Sequence, residues 1–421
     1  MFEFLHAADI HLDSPLRGLQ RYEGAPADAI RQASRHALKN LVELAVRDRI
    51  AFILIAGDLY DGDWRDYNTG LFLVQQMAKL RDANIPVVML TGNHDAANKM
   101  TRLLRLPDNV KMLSVDEPET IELTDLGVAI HGQGFAQAKV TDDLSQRYPP
   151  RRSGCFNIGL LHTCATGADG HEHYAPCTLD GLRSKSYDYW ALGHIHKREI
   201  LCADPFIIFP GNLQGRHIRE TGAKGCMRVC VNHNGQARAE FQSLDVLRWE
   251  CCAVEADEHG SEDDVVVAVA DELRRLRDEH EMPLAVRVQV TGRTMAHPRL
   301  TANPARWTNE IRARALTDFS ERVWIEKVIW QTRPRHDDKL ADGAAFAELT
   351  QLIGELKRKD DAWRDFLQEC KEFEQLKTKL PPEVLEFGEA LPLHDPVSLR
   401  AVLDQVESVL QRRLLPMEEP S

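Results

Sequence analysis

Five short polar motifs punctuate the first half of the chain: Asp9-Ile10-His11, Gly57-Asp58-Leu59-Tyr60-Asp61, Gly92-Asn93-His94-Asp95, Gly159-Leu160-Leu161-His162 and Gly193-His194-Ile195-His196. Their side chains offer imidazole, carboxylate and amide, and no thiolate. That donor set suits Mn²⁺, Fe or Zn better than Ca²⁺. Any one of these motifs is a common surface pattern; five in succession, each at or just after an apolar run, form a constellation. Residues i and i+2 of a strand point to one side, so strand alternation is expected to bring Asp9 with His11, and His194 with His196, to a shared ion. A carboxylate can bridge two cations, and Asp58, just beyond a buried run, is the natural bridge. Asn93 adds a neutral carbonyl oxygen. The glycines before Asp58, Asn93 and His194 are expected to permit tight turns.

Such residues need rigid elements to hold them. Apolar β-rich runs at 2–8, 51–56, 85–91, 128–132, 156–162, 189–193 and 206–209 predict buried strands, and 27–49 and 68–83 show helical spacing. The pattern implies a layered α/β domain whose sheet is covered on both faces. Asn234-Gly235 predicts a hairpin over 226–241 with a tight primed turn. After residue 246 the pattern changes to strand (249–254), helix (263–280), strand (285–291), helix (304–316) and strand (323–332). From 344 onward the pattern is helical, with Phe346, Leu349, Leu352, Ile353 and Leu356 on one face, and 397–414 is expected to be a last helix. Three regions are expected: 1–245, 246–338 and 339–421. Strand C-terminal ends in open α/β sheets are where functional loops converge.

Composition narrows the function. The chain has 421 residues, and 52 Lys+Arg against 65 Asp+Glu give a net charge of −13, which argues against a globally basic nucleic-acid coat protein. Local patches still matter: residues 287–339 hold 11 Lys/Arg against 6 Asp/Glu, whereas 340–421 hold 10 against 17. No apolar run approaches the ~20 residues that span a bilayer, so no membrane association is expected. The nine cysteines are odd in number and show no C-x-x-C spacing. Reduced thiols and a cytoplasmic location are therefore expected, as is the absence of a secretory signal.

The motif set resembles the calcineurin-like metallophosphoesterases over most of residues 1–215. The resemblance implies a four-layer α/β/β/α sandwich, followed by a small α+β capping domain and a helical C-terminal region. It implies two divalent ions, Mn²⁺ first and Fe or Zn as alternatives. Asp9, His11, Asp58 and His196 would hold one; Asp58, Asn93, His162 and His194 would hold the other. His94 would then stabilise or protonate the leaving oxygen. Asp61 would orient His94, with Asp95 as a competing partner and a loop-capping role for Asp61 as the bland alternative.

The stretch from Phe4 to Leu16 and the run Pro210-Gly-Asn-Leu-Gln-Gly-Arg-His217 bring the resemblance closer to DNA repair exonucleases of the YhaO/SbcD type. This implies DNA as substrate, a cap that helps bind it, C-terminal helices that dock on a coiled-coil SMC-like ATPase, and a homodimer. Some nucleases of the group carry His where Asp61 stands, so a role specific to that His does not transfer. Arg216 and His217 are candidates for the phosphate site, and Arg293 and Arg306 for DNA backbone contacts from the cap. His171 and His173 flank Glu172 in what reads as a polar loop. The functional expectation is a dinuclear-metal DNA exonuclease or endonuclease. The alternatives are a small-molecule or nucleotide phosphodiesterase or phosphatase on the same fold, and a non-catalytic subunit.

Overall fold

The computed structural model describes residues 1–14, 27–61, 67–96, 104–165, 175–257, 259–335, 351–356 and 358. The expected third region, apart from the helical residues 351–356 and 358, lies outside them, as do His171, Glu172 and His173. Contacts divide the chain into Met1–Arg333, which carries the sheets, and Pro334–Ser421.

The strands are β1 (Phe2–Ala7), β2 (Phe52–Ala56), β3 (Val87–Leu90), β4 (Val110–Met112), β5 (Glu119–Leu123), β6 (Val128–Gly132), β7 (Phe156–His162), β8 (Tyr189–Gly193), β9 (Glu199–Ala203), β10 (Phe206–Phe209), β11 (Gly225–Val231), β12 (Ala237–Ser243), β13 (Arg248–Glu255), β14 (Leu284–Thr294) and β15 (Val323–Pro334). Two six-stranded sheets run in the orders β12-β11-β1-β2-β3-β4 and β5-β6-β7-β8-β10-β9. Within them β1 to β4, and β6, β7, β8 and β10, pair in parallel, while the remaining strands add antiparallel edges. The central strands β2, β3, β6, β7 and β8 are buried on both faces, which explains the unbroken apolar sequences of β2, β3 and β8; His131 of β6 and Asn157 of β7 interrupt theirs and hydrogen-bond to each other at 3.1 Å.

The sheets pack on each other through Phe4, Phe52, Val88, Leu90, Ile158, Leu160, Tyr189 and Ile208. Helices α1 (Ala27–Arg47) and α2 (Tyr67–Asp82) cover the outer face of the first sheet through Leu38, Leu41, Leu73 and Met77. Over the second, the six-residue helix Leu179–Ser184, a 3-10 turn and packed loops bury Trp190, Leu192, Ile207 and Phe209. This is the α/β/β/α sandwich, with one thin outer layer. Strands β5 and β9 carry no buried residue, and the three-residue β4 buries only Val110, so these three lacked an apolar signal and were not expected.

The β11–β12 hairpin differs from expectation. Its connection spans 232–236, closed by an Asn232 N–H bond to the Gln236 carbonyl and by the Asn232 side chain accepting from Asn234 and Gln236. Gly235 has φ 77°, while Asn234 is not in the left-handed region. The type I′ turn that Asn-Gly favours needs positive φ at both residues, whereas here the Asn232 side chain closes a longer connection.

Strands β13, β14 and β15 form a third sheet. Helices Glu262–Asp278 and Pro304–Phe319 lie on one face, burying Val265, Val269, Leu273, Trp307 and Ile311 against Val286, Val288 and Ile325. A capping box of Ser261 and Asp264 starts the first of these helices. A separate apolar cluster of Ile30, Leu247, Trp249 and Ala285, with Ile218 and Trp324 against it, joins this sheet to the sandwich. Among the described residues, no helix is long and apolar enough to cross a membrane.

Candidate metal centre

The functional loops leave the C-terminal ends of parallel strands from both sheets. Asp9 and His11 follow β1, Asp58 follows β2, and Asn93 opens the short helix α3 (Asn93–Ala96) after β3. His162 ends β7, and His194 and His196 follow β8. Strand alternation is not what gathers them. Strand β1 stops at Ala7, and Asp9 and His11 have φ 50° and 45°; Asp58 has φ 53° and His194 φ 104°. Left-handed backbone is strained for side-chain-bearing residues and concentrates at functional sites. It turns the chain sharply beyond each strand: Asp9 and His11 still meet in one cluster, as expected, whereas His194 and His196 diverge to different partners.

Three groups of possible ligand atoms, each within 4.8 Å of one another, result: His11–Asp61–His94 at the edge, and the two clusters Asp9–His11–His196 and Asp58–His162–His194. Asp58 links them: its Oδ2 is 3.8 Å from His11 Nε2 and 3.4 Å from His162 Nε2. Asn93 Oδ1 lies 2.9 Å from His162 Nε2 and 3.2 Å from His194 Nδ1. All seven expected ligands thus come together, with His194 and His196 in different clusters.

Glycine makes this possible by absence of bulk. A Cβ on Gly92 would stand 2.2 Å from Asp58 Oδ1, and one on Gly193 would stand 1.9 Å from the Ala56 carbonyl oxygen. Neither glycine has positive φ, so close approach rather than a turn requires it. Only the glycine before Asp58, Gly57 at φ 88°, has the left-handed backbone expected of a turn.

The histidines are held from behind. His162 Nδ1 donates to the Ala56 carbonyl at 2.9 Å, His11 Nδ1 to Asp61 at 2.6 Å, and His196 Nδ1 to Glu220 at 2.7 Å. Each acceptor fixes the proton on Nδ1 and turns the Nε2 lone pair inward. Consequently His11 Nε2 and His196 Nε2 face each other at 3.1 Å. Two inward lone pairs beside buried carboxylates call for positive charge between them, so the residues present fit divalent cations.

The electrostatics agree. Burial opposes charge on His162, yet Asp58 and Asp9 outweigh it and raise its pKa to about 9. Burial lifts Asp9 to about 6, against the pull of His196 and His162. His11 is driven down to about 4 by burial and by the Arg216 charge. Burial would raise Asp58 and Asp61, but their histidine neighbours hold both well below the carboxylate range.

His94 stands at the edge of the cluster, 43% exposed, with Nδ1 3.1 Å from Asp61 Oδ1. Its backbone N–H donates to Asp58 Oδ1 at 3.0 Å. Burial lowers its pKa, but the hydrogen bond to Asp61 and the charges of Asp58 and Asp61 prevail and raise it. Asp95, the competing partner, instead accepts backbone N–H groups of Leu59, Tyr60 and Gly92 at 3.0–3.1 Å and ties the β2 and β3 loops together. Asp61 therefore serves His94 and His11 at once, and Ser14 also donates to it.

The basic candidates separate. Arg216, 18% exposed, reaches Asp61 at 3.1 Å and Glu220 at 3.4 Å. His217, 53% exposed, lies 3.5 Å from Glu220. Arg293 donates its backbone N–H to Asp257, and Arg306 lies over the Trp307 ring; neither interaction involves the histidine–carboxylate cluster. Sequence reasoning missed Glu220, and also Lys224, whose Nζ donates to the His196 carbonyl at 3.0 Å. Both sit in a loop of mixed polar residues, where no periodicity distinguishes a ligand support from a surface charge.

Residues 2–198 match the calcineurin-like phosphoesterase family, and residues 249–333 match the family described as metallophosphoesterase YhaO, middle domain. The uncharacterized metallophosphoesterase YhaO of Bacillus subtilis is 31% identical over 427 aligned positions, covering 98% of this chain and 97% of that protein. DNA double-strand break repair proteins Mre11 of Sulfurisphaera tokodaii and Saccharolobus solfataricus are 27% and 26% identical over 209 positions, 48% of this chain and 51% and 52% of theirs. The chain belongs to the calcineurin-like metallophosphoesterases of the YhaO family and is a metal-dependent phosphoesterase.

Proposed function

We propose that the protein is a dinuclear-metal DNA exonuclease or endonuclease of DNA repair that works with a coiled-coil SMC-like ATPase in the cytoplasm. The observation that carries this reading is Asp58, one carboxylate within 3.8 Å of imidazoles from both clusters. Asp9, His11, Asp58 and His196 would hold one ion, and Asp58, Asn93, His162 and His194 the other, with Mn²⁺ the expected metal. Bound there, divalent ions supply Lewis-acid polarisation of the phosphodiester and lower the pKa of water.

The chain's own residues do the rest. His94, raised in pKa by Asp61, is a proton donor placed at the open edge of the site. Asp61 keeps that imidazole and His11 in fixed orientation. The Mre11 relatives, named for double-strand break repair, support DNA as substrate. The three-stranded sheet and its helices, within 246–338, are assigned the cap, where Arg293 and Arg306 would meet DNA backbone. Residues 339–421 are assigned to the ATPase, and a homodimer remains the expected assembly.

The test is hydrolysis by metal-stripped protein reloaded with Mn²⁺, comparing end-labelled linear DNA with aryl phosphodiester and phosphomonoester, and with His94→Ala as control. DNA degradation lost in the variant supports the reading. Turnover of a small ester with DNA intact, both alone and with the ATPase present, replaces it with a small-molecule phosphodiesterase.

A further inference from the structure

The loop from Pro210 to Lys224 lies between the two matched segments, 2–198 and 249–333. It nevertheless carries the groups on which His196 leans. Glu220 is 6% exposed. One of its oxygens accepts His196 Nδ1–H at 2.7 Å; the other accepts Asn212 Nδ2 and the Arg216 backbone N–H, both at 2.8 Å. Arg216 then reaches Asp61, which holds His11. The two imidazoles that face each other through Nε2 are thus braced from behind by one connected chain, Glu220–Arg216–Asp61.

The loop is itself tied to the three-stranded sheet. Trp249, at the start of β13, donates its indole N–H to the Gly215 carbonyl at 3.0 Å, and its carbonyl accepts from Gly222 at 3.1 Å. Gln214 donates to the Leu247 carbonyl at 2.6 Å and accepts from Val246 at 2.9 Å. A Cβ on Gly215 would sit 2.9 Å from the Glu220 carbonyl oxygen and 3.0 Å from the indole ring, so no slack separates the tryptophan from the turn that carries Glu220. On its far side the indole packs edge-on against Trp324 of β15.

We propose that Glu220 is the positioning residue of His196, and that the three-stranded sheet sets Glu220 through Trp249. The proposal rests on the reading of His196 as a metal ligand. A carboxylate behind a ligating imidazole fixes its ring and raises its basicity, and removing such a partner weakens metal binding by roughly 10–100-fold.

The experiment is Mn²⁺ titration of the metal-stripped full chain, followed calorimetrically and by Mn²⁺ EPR, for wild type, Glu220→Ala, Glu220→Gln and Trp249→Phe. Circular dichroism confirms that each variant is folded. Wild type is expected to take up two ions. Glu220→Ala should weaken one of them by roughly 10–100-fold and spare the other. Glu220→Gln, whose amide oxygen still accepts from Nδ1–H, should recover part of the loss. Trp249→Phe keeps an apolar ring but loses the bond to Gly215, and should weaken the same ion to a smaller extent. A folded Glu220→Ala that binds both ions as wild type does would overturn the positioning role. Wild-type binding by Trp249→Phe, beside a weakened Glu220→Ala, would overturn the part assigned to the sheet. Fewer than two ions in wild type would instead refute the dinuclear reading beneath both.

Discussion

Asp61 holds His11 through a 2.6 Å hydrogen bond to Nδ1. The same carboxylate is 3.1 Å from His94 and 3.1 Å from Arg216, so one side chain steadies an expected metal ligand and the expected proton donor together.

Asp61→Asn should therefore have two effects. Losing the carboxylate behind His11 lowers activity roughly 10–100-fold. It also removes the bond and charge that raise His94 against the effect of burial. A group that acts when protonated stops acting as pH rises through its pKa, so the alkaline limb of kcat/KM should move to lower pH in the variant. An unmoved limb would show that Asp61 does not set the protonation of His94.

Gly92→Ala should damage the site more than the fold. The new methyl group would stand 2.2 Å from Asp58 Oδ1 and 2.8 Å from the Asp58 backbone nitrogen, so the carboxylate proposed to bridge must shift. A displacement near 1 Å can cost on the order of 100-fold in rate, while overpacking costs about 1–3 kcal/mol of stability. Mn²⁺-dependent phosphodiesterase activity and thermal unfolding, measured side by side, check both. Wild-type activity would mean that Asp58 tolerates the movement and does not bridge.

Chelation should destabilise the protein. Asp9 and Asp58 are each 1% exposed and interact unfavourably with each other. Cations that bind only the folded state stabilise it by about 2.7 kcal/mol at a free concentration of 100 Kd. The thermal midpoint should fall on chelation and return with Mn²⁺. An identical midpoint in both states would count against tight binding at these residues.

His6 makes acid stability a separate question. Its Nε2 donates to the Leu192 carbonyl at 3.1 Å, so its Nδ1 accepts the Tyr189 hydroxyl at 3.0 Å, and the ring is neutral. Burial lowers its pKa to about 3, although the bond to Leu192 works the other way. Unfolded, it would titrate near 6.5. Between these values the unfolded chain binds the extra proton, so stability falls as pH drops from about 6.5 towards 3, by several kcal/mol in all. Urea unfolding of His6→Phe across this range should show a shallower pH dependence than wild type, whatever its absolute stability. Parallel slopes would show that His6 does not contribute.

The seven candidate ligands that the structure brings together were legible in the sequence because metal chemistry restricts residue type. Asp9, His11, Asp58, Asn93, His162, His194 and His196 each follow or end an apolar run, and such runs mark strands buried on both faces. The thin outer layer and the edge strands β4, β5 and β9 were not legible, since edge strands at the surface are not obliged to be apolar. The tertiary structure alone decided how the candidate ligands are shared: the left-handed turn at His194 after β8 sends His194 and His196 to different clusters, while Asp9 and His11 after β1 stay in one. It alone also found Glu220, separated from His196 by 24 residues, and the Trp249 bond to Gly215 that holds its loop. Residue type and spacing report which atoms can ligate and where the core runs. Which carboxylate stands behind which imidazole depends on contacts between distant loops, and those exist only once both sheets have closed on each other.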